Sequence, residues 1–221
     1  MKNFHLGLLL LGTLTLASCG QQAASSMPAP STTAATVAEQ IAQFAQRPEL
    51  QSEEAQAILK AYPDDAGMLD ALQRAYGLKP DTTEALTVPV PDGLSAQATR
   101  LSYVQSVAWG SVANYQAQKA RPAYSGLNWG SDGCSAPSGV GLGYRTTFRP
   151  ACDVHDFGYG NLPKLTAKSQ WETQRKNTDV AFHNNMDHIC AQKSWYEKPT
   201  CYAASQAYYL AVRNFGSSHW N

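Results

Sequence analysis

The residues of this chain best suited to chemistry lie in one short stretch, Cys152-Asp153-Val154-His155-Asp156-Phe157-Gly158-Tyr159. On a helix, neighbouring positions point about 100° apart, whereas positions three and four apart share a face. The stretch therefore lines Cys152, His155 and Tyr159 along one side and turns Asp156 toward a different neighbour. An imidazole can take and return a proton near neutral pH, and a carboxylate beside it can hold a metal ion. A base and an electrophile would then reach one substrate from two directions.

A base needs an acceptor to orient its second ring nitrogen. A long helix is expected over residues 171–192, and on it Asp179 falls on the same stripe as Phe182, Met186, Ile189 and Cys190. A carboxylate on an apolar stripe is unfavourable unless paired. Asp179 is thus either half of a structural salt bridge or the partner of His155, which on its own could equally be a core histidine bonded to a backbone carbonyl. A further carboxylate, Asp132, precedes Gly133 in a glycine-rich stretch. Taken singly it suits a turn. Brought together with Asp156, backbone carbonyls and water, it makes an oxygen-rich site suited to calcium, and without an ion the two charges would repel. The D-x-D-x-D-G pattern of an EF-hand is missing.

The elements that must position these residues read as helices. Val37, Ile41 and Phe44 mark a first short one; Ala55, Ile58, Leu59 and Tyr62 a second; Met68, Leu69, Leu72 and Tyr76 a third, closed by Gly77 and Pro80. Val88-Pro89-Val90-Pro91-Asp92-Gly93 reads as a boundary. After it, Ser95 is expected to cap one longer helix with Leu101, Val104, Ala108, Val112 and Tyr115 inside, ended by Pro122. Residues 128–149 are expected to form a loop, and Pro150 to begin the helix bearing His155. A final helix is expected over residues 202–215, stopping at Gly216.

Lys2 followed by the apolar run from Phe4 to Ala17 reads as an export signal, too short to span a bilayer comfortably. Its end, Leu16-Ala17-Ser18-Cys19, resembles the bacterial lipobox, which implies cleavage before Cys19 and lipid on that cysteine; an ordinary secretory peptide is the alternative. Residues 20–36 are rich in Ala, Ser, Thr, Gln and Pro and read as a flexible tether. Four cysteines remain, Cys134, Cys152, Cys190 and Cys201, and an even number in an exported chain argues for two disulfides, in one of three pairings. Zinc is disfavoured because no C-x-x-C pair occurs. The formal charge is zero, but residues 92–221 carry twelve Lys/Arg against eight Asp/Glu and residues 19–91 four against nine. No basic run points to nucleic acid.

Cys152 through Tyr159, with Asp132-Gly133-Cys134 upstream and Asp179-Val180-Ala181-Phe182 downstream, closely resembles the small secreted phospholipase A2 enzymes of bacteria and fungi, over roughly Leu101 to Gly216. The resemblance implies an all-α, disulfide-stapled helical domain with two long antiparallel catalytic helices and a Gly-rich calcium loop, preceded by a short helical N-terminal region. It implies disulfides Cys134–Cys152 and Cys190–Cys201. It also implies calcium held by the side chains of Asp132 and Asp156 and the carbonyl of Gly133. The activity expected is calcium-dependent hydrolysis of the sn-2 ester of glycerophospholipids, with His155 as base, Asp179 orienting it and Tyr159 supporting that side. Phe157 and Trp129 are acyl-channel candidates, for which core packing is the stronger reading. The expected organisation is a signal peptide at 1–18, a lipid-anchored tether at 19–36, an acidic accessory or pro-region at 37–91 and a catalytic domain at 92–221. The catalytic domain is expected to be monomeric and to meet a membrane surface or micelle. The rival readings are a catalytically silent, calcium-stabilised lipid-binding module and a structural envelope lipoprotein on the same scaffold.

Overall fold

Three short helices open the described part of the chain: α1 (Val37–Phe44), α2 (Glu53–Ala61) and α3 (Ala66–Ala75). Each begins at a residue able to take up orphan amides. Thr36 Oγ1 accepts the Glu39 N–H (3.2 Å) while Glu39 accepts the Thr36 N–H (2.7 Å), a reciprocal capping box. Ser52 and Asp65 cap α2 and α3 through the amides of Ala55 and Met68. At the end of α3, Gly77 takes φ +68°, which lets its N–H reach Arg74 O (2.9 Å) and that of Leu78 reach Gln73 O (2.8 Å).

The remaining helices are α4 (Ala96–Ala108), α5 (Val112–Ala120), α6 (Arg145–Leu165), α7 (Trp171–Ala191) and α8 (Lys198–Phe215). In this computed structural model, residues 34–81, 96–134 and 142–221 are described, and no strand occurs among them. The export signal with Cys19, most of the tether, the boundary at 88–93, Ser95 and residues 135–141 lie outside the described residues. No described helix is long and apolar enough to cross a membrane.

Three expectations change. The single helix after the boundary is two, because Ser111 caps a new start through the Asn114 N–H (3.1 Å). Asn185 of α7 clasps the break, donating to Gly110 O (2.9 Å) and accepting from the Val112 N–H (3.3 Å). The helix bearing His155 starts at Arg145 rather than Pro150, so residues 145–149 are helical and not loop. Tertiary contacts supply what a side-chain cap would: Glu54 of α2 accepts the Gly143 N–H (2.9 Å) in the 3-10 turn Leu142–Tyr144, and Tyr144 stacks on Phe148. Pro150 is accommodated inside the helix at the loss of one backbone bond. The last helix starts at Lys198, where Pro199 occupies the first turn.

Two apolar clusters hold the helices. One joins Ile41, Leu50, Ile58, Met68 and Leu72 to Phe148, Cys152, Phe182, Met186 and Tyr202, so α1–α3 share a core with α6, α7 and α8. The other gathers Val104, Val107, Tyr115, Val154, Phe157, Leu162 and Trp220. Gly158 lets the long helices approach: a Cβ there would lie 2.6 Å from Thr178 Cγ2 and 3.2 Å from Ala108 Cβ. Arg74 of α3 pairs with Asp187 of α7 in the interior, and Ser205 of α8 donates to the same carboxylate (2.6 Å). Ala35–Asn221 forms one compact unit. The disulfides are Cys134–Cys152 and Cys190–Cys201.

Candidate active site

The five residues between α6 and α7 turn the chain back on itself, so residues later on α6 meet residues earlier on α7. His155 packs tilted against the Phe182 ring (4.6 Å between centroids), and its Nε2 lies 2.9 Å from Asp179 Oδ1. The Asp179 side chain is fully buried. Burial pushes its carboxyl up, but the hydrogen bond from His155, with those from Arg213 and Tyr159, holds it below the usual carboxylate value. An ionised carboxylate only accepts, so the hydrogen sits on Nε2 and the lone pair is left on Nδ1.

Asp179 makes both contacts that the sequence left open. Its Oδ1 also receives the Tyr159 hydroxyl (2.8 Å), while Oδ2 receives Arg213 Nη1 (2.7 Å) and Arg175 Nη1 (3.3 Å). Glu172 holds the other side of both guanidiniums, at 2.9 Å from Arg175 and 2.6 Å from Arg213. The Tyr159 phenol is pushed well up, by burial and then by the charge of Asp179, and stays a donor. Its ring lies on His155 (4.2 Å) and edge-on to Trp220 (4.7 Å).

The acidic side of the site is built from the loop before Cys134. The disulfide Cys134–Cys152, with a Cα separation of 5.3 Å, ties that loop to the turn of α6 before Asp156. Asp156 Oδ2 contacts Ser131 Oγ (2.7 Å) and the Gly133 N–H (3.3 Å). Ser131 Oγ also contacts Asp153 Oδ1 (2.6 Å), which takes Arg149 Nε (2.7 Å). Burial pushes the Asp156 carboxyl up, and the charge of Asp132 adds to the push. Gly133 has φ +83°, open to glycine, and its Cα faces the Arg149 guanidinium: a Cβ would lie 2.8 Å from Nη1.

These residues fit a hard divalent cation by their chemistry. One hydroxyl hydrogen cannot serve two carboxylate oxygens, so the Ser131 bridge leaves the cluster short of positive charge. The donors are all oxygens. Among the described residues no three His, Cys, Asp or Glu side chains converge as a metal cage; the expected set needs two carboxylates, completed by a backbone carbonyl and water.

His155, Asp156, Tyr159, Asp132 and Gly133 all line one cleft of about 680 Å³. Its apolar wall is Phe182 of α7 with Tyr208, Ala211, Val212 and Phe215 of α8. Phe157 and Trp129 do not line it; their rings pack together at 4.4 Å beside Tyr115. No described residue of α1–α3 lines it either. The sequence reading missed Ser131, Asp153, Arg175, Arg213 and the α8 wall. Of these, Arg175 was readable at four residues before Asp179; Arg213 and the wall come from a distant helix with no local signal.

A family model described as "Prokaryotic phospholipase A2" matches residues 105–216, half of the chain. The chain is 37% identical over 91 residues to "Secretory phospholipase A2" of Beauveria bassiana (strain ARSEF 2860), covering 41% of this chain and 44% of that protein. It is 31% identical over 109 residues to "Secretory phospholipase A2" of Arthroderma benhamiae (strain ATCC MYA-4681 / CBS 112371), covering 48% of this chain and 71% of that protein. The matched segment runs from the last turn of α4 to the end of α8 and contains His155, Asp179, Tyr159, Asp132, Gly133 and Asp156 together with both disulfides, and the chain belongs to the prokaryotic phospholipase A2 family.

Proposed function

We propose that the protein is a calcium-dependent phospholipase A2 that hydrolyses the sn-2 ester of glycerophospholipids to a lysophospholipid and a free fatty acid. The observation that carries the reading is the His155 Nε2–Asp179 Oδ1 bond of 2.9 Å, which leaves Nδ1 as the basic atom of a cleft with an apolar wall.

His155 Nδ1 takes a proton from water, and the hydroxide formed adds to the ester carbonyl. Asp179, held ionised by its partners, stabilises the imidazolium as it forms. The same nitrogen then returns its proton to the departing glycerol oxygen, so that base and acid are one residue. Tyr159 keeps Asp179 in place by donating to it. The fatty acyl chain lies along Phe182, Tyr208, Ala211, Val212 and Phe215, whose burial favours an alkyl substrate.

Asp132, Asp156 and the Gly133 carbonyl would hold calcium, which when bound supplies Lewis-acid polarisation of the ester carbonyl. The enzyme works as a monomer at a lipid surface or micelle. Phe215, 64% exposed where it lines the cleft, supports that setting. The relatives' description as secretory supports export, and Cys19 is the proposed lipid anchor.

The test is phosphatidylcholine with distinguishable sn-1 and sn-2 chains, incubated with the protein in calcium and in chelator. Release of the sn-2 chain in calcium alone is expected. Release from sn-1, or full activity in chelator, would overturn the assignment.

A further inference from the structure

Arg149 stands on the first turns of α6 with its side chain 52% exposed, at a place where an unpaired surface arginine would normally reach into solvent. It turns inward toward the acidic loop instead. Its Nε donates to Asp153 Oδ1 at 2.7 Å, and its guanidinium lies directly over Gly133. Its charged form is favoured first by the hydrogen bond to Asp153 and that residue's charge, and further by the charges of Asp156 and Asp132. One cation therefore faces three carboxylates.

The Ser131 hydroxyl decides how that charge is used. It touches Asp153 (2.6 Å) and Asp156 (2.7 Å) but has one hydrogen to give. Asp153 already receives Arg149, so the Ser131 hydrogen is free for Asp156, whose other donor, the Gly133 N–H, is at 3.3 Å. Asp153 and Arg149 neutralise each other. What remains is the pair Asp132 and Asp156, two negative charges beside a donor-poor loop.

Resting on the cation site proposed above, we infer that the Arg149–Asp153 pair sets the charge of that site, holding it at two net negative charges and so limiting how far it prefers a trivalent over a divalent ion. Asp153 alone would add a third negative charge and raise affinity for a trivalent ion more than for a divalent one. Arg149 alone would leave one and weaken binding of both. In a site of fixed oxygen donors, the charge count governs affinity, and the effect grows with the charge of the ion. Arg149, Asp153 and Ser131 act here as positioning residues: none of them needs to touch substrate.

The experiment measures Ca²⁺ and Tb³⁺ affinities of the full chain by titration calorimetry and terbium luminescence. It compares the wild type with Arg149→Gln, Arg149→Lys and Asp153→Asn. The expected result is a rise of roughly tenfold in the Tb³⁺-to-Ca²⁺ affinity ratio for Arg149→Gln, a ratio close to wild type for Arg149→Lys, and a lowered ratio for Asp153→Asn. A wild type that binds calcium, with a ratio unmoved by Arg149→Gln and Asp153→Asn, overturns the inference and leaves the calcium reading standing. An equal shift in Arg149→Lys and Arg149→Gln overturns it too, because geometry rather than charge would then be at work. A wild type that binds neither ion overturns both.

Discussion

His155 and Asp179 are 24 residues apart in sequence, and the antiparallel course of α6 and α7 puts Nε2 of one 2.9 Å from Oδ1 of the other. The aspartate's two oxygens face different partners. Oδ1 meets His155 and Tyr159, and Oδ2 meets Arg175 and Arg213. A single buried carboxylate thus couples His155, the proposed base, to the ion pairs that join α7 to the end of α8.

Replacing Asp179 by Asn should therefore damage stability and turnover together. Two arginines would keep only the exposed Glu172 as carboxylate partner, a loss of about 2–3 kcal/mol at neutral pH. Turnover should fall by roughly a hundredfold or more, since the amide can orient the ring but not stabilise its cation. Urea unfolding and initial-rate assays on the same preparation check both.

The same residue predicts the direction of an acid transition. The Asp179 carboxyl titrates below its ordinary 3.8 in the folded protein. The stability it contributes is complete above that ordinary value and is lost as pH falls through the lower folded one. Denaturant midpoints should begin to fall near about pH 4 and go on falling toward about pH 2, and the fall should be shallower in Asp179→Asn.

Opening Cys134–Cys152 by a double change to Ala should lower stability by about 3 kcal/mol in the chain-entropy view. It should also weaken calcium binding, because the loop bearing Asp132 and Gly133 would lose its tie to α6. Calcium titration of the folded double variant, compared with its unfolding midpoint, separates the two effects. Unchanged affinity would mean that the loop holds its shape through its hydrogen bonds to α6, those of Ser131 and of the Gly133 N–H among them.

Much of this was legible because it is local. Helical spacing placed His155 and Tyr159 on one face, and the apolar stripe around Asp179 marked a carboxylate that had to find a partner. The three short helices of the N-terminal region followed from apolar periodicity, with Gly77 and Pro80 closing the third. What the sequence hid was tertiary. The start of α6 depends on Glu54, a carboxylate from α2, meeting Gly143, and the gap between α4 and α5 on Asn185 of α7. Gly110-Ser111 did carry a cap signal that the longer apolar pattern masked. The α8 wall of the cleft had no local sign, because Ala211, Val212 and Phe215 read equally as core.

Tyr159→Phe removes one donor to Asp179 and keeps the ring against His155 and Trp220. Turnover should drop by roughly tenfold or less, with calcium affinity unchanged. A loss as large as that of Asp179→Asn would instead make the phenol a direct participant. Rates and calcium titrations on the purified variant decide between these.

The most direct measurement is fatty-acid release from phosphatidylcholine vesicles in calcium by the wild type and by His155→Ala, with circular dichroism confirming that both are helical. The account predicts release by the wild type and a loss of roughly a hundredfold to ten-thousandfold in the folded variant. A folded His155→Ala protein that releases fatty acid at the wild-type rate would contradict it.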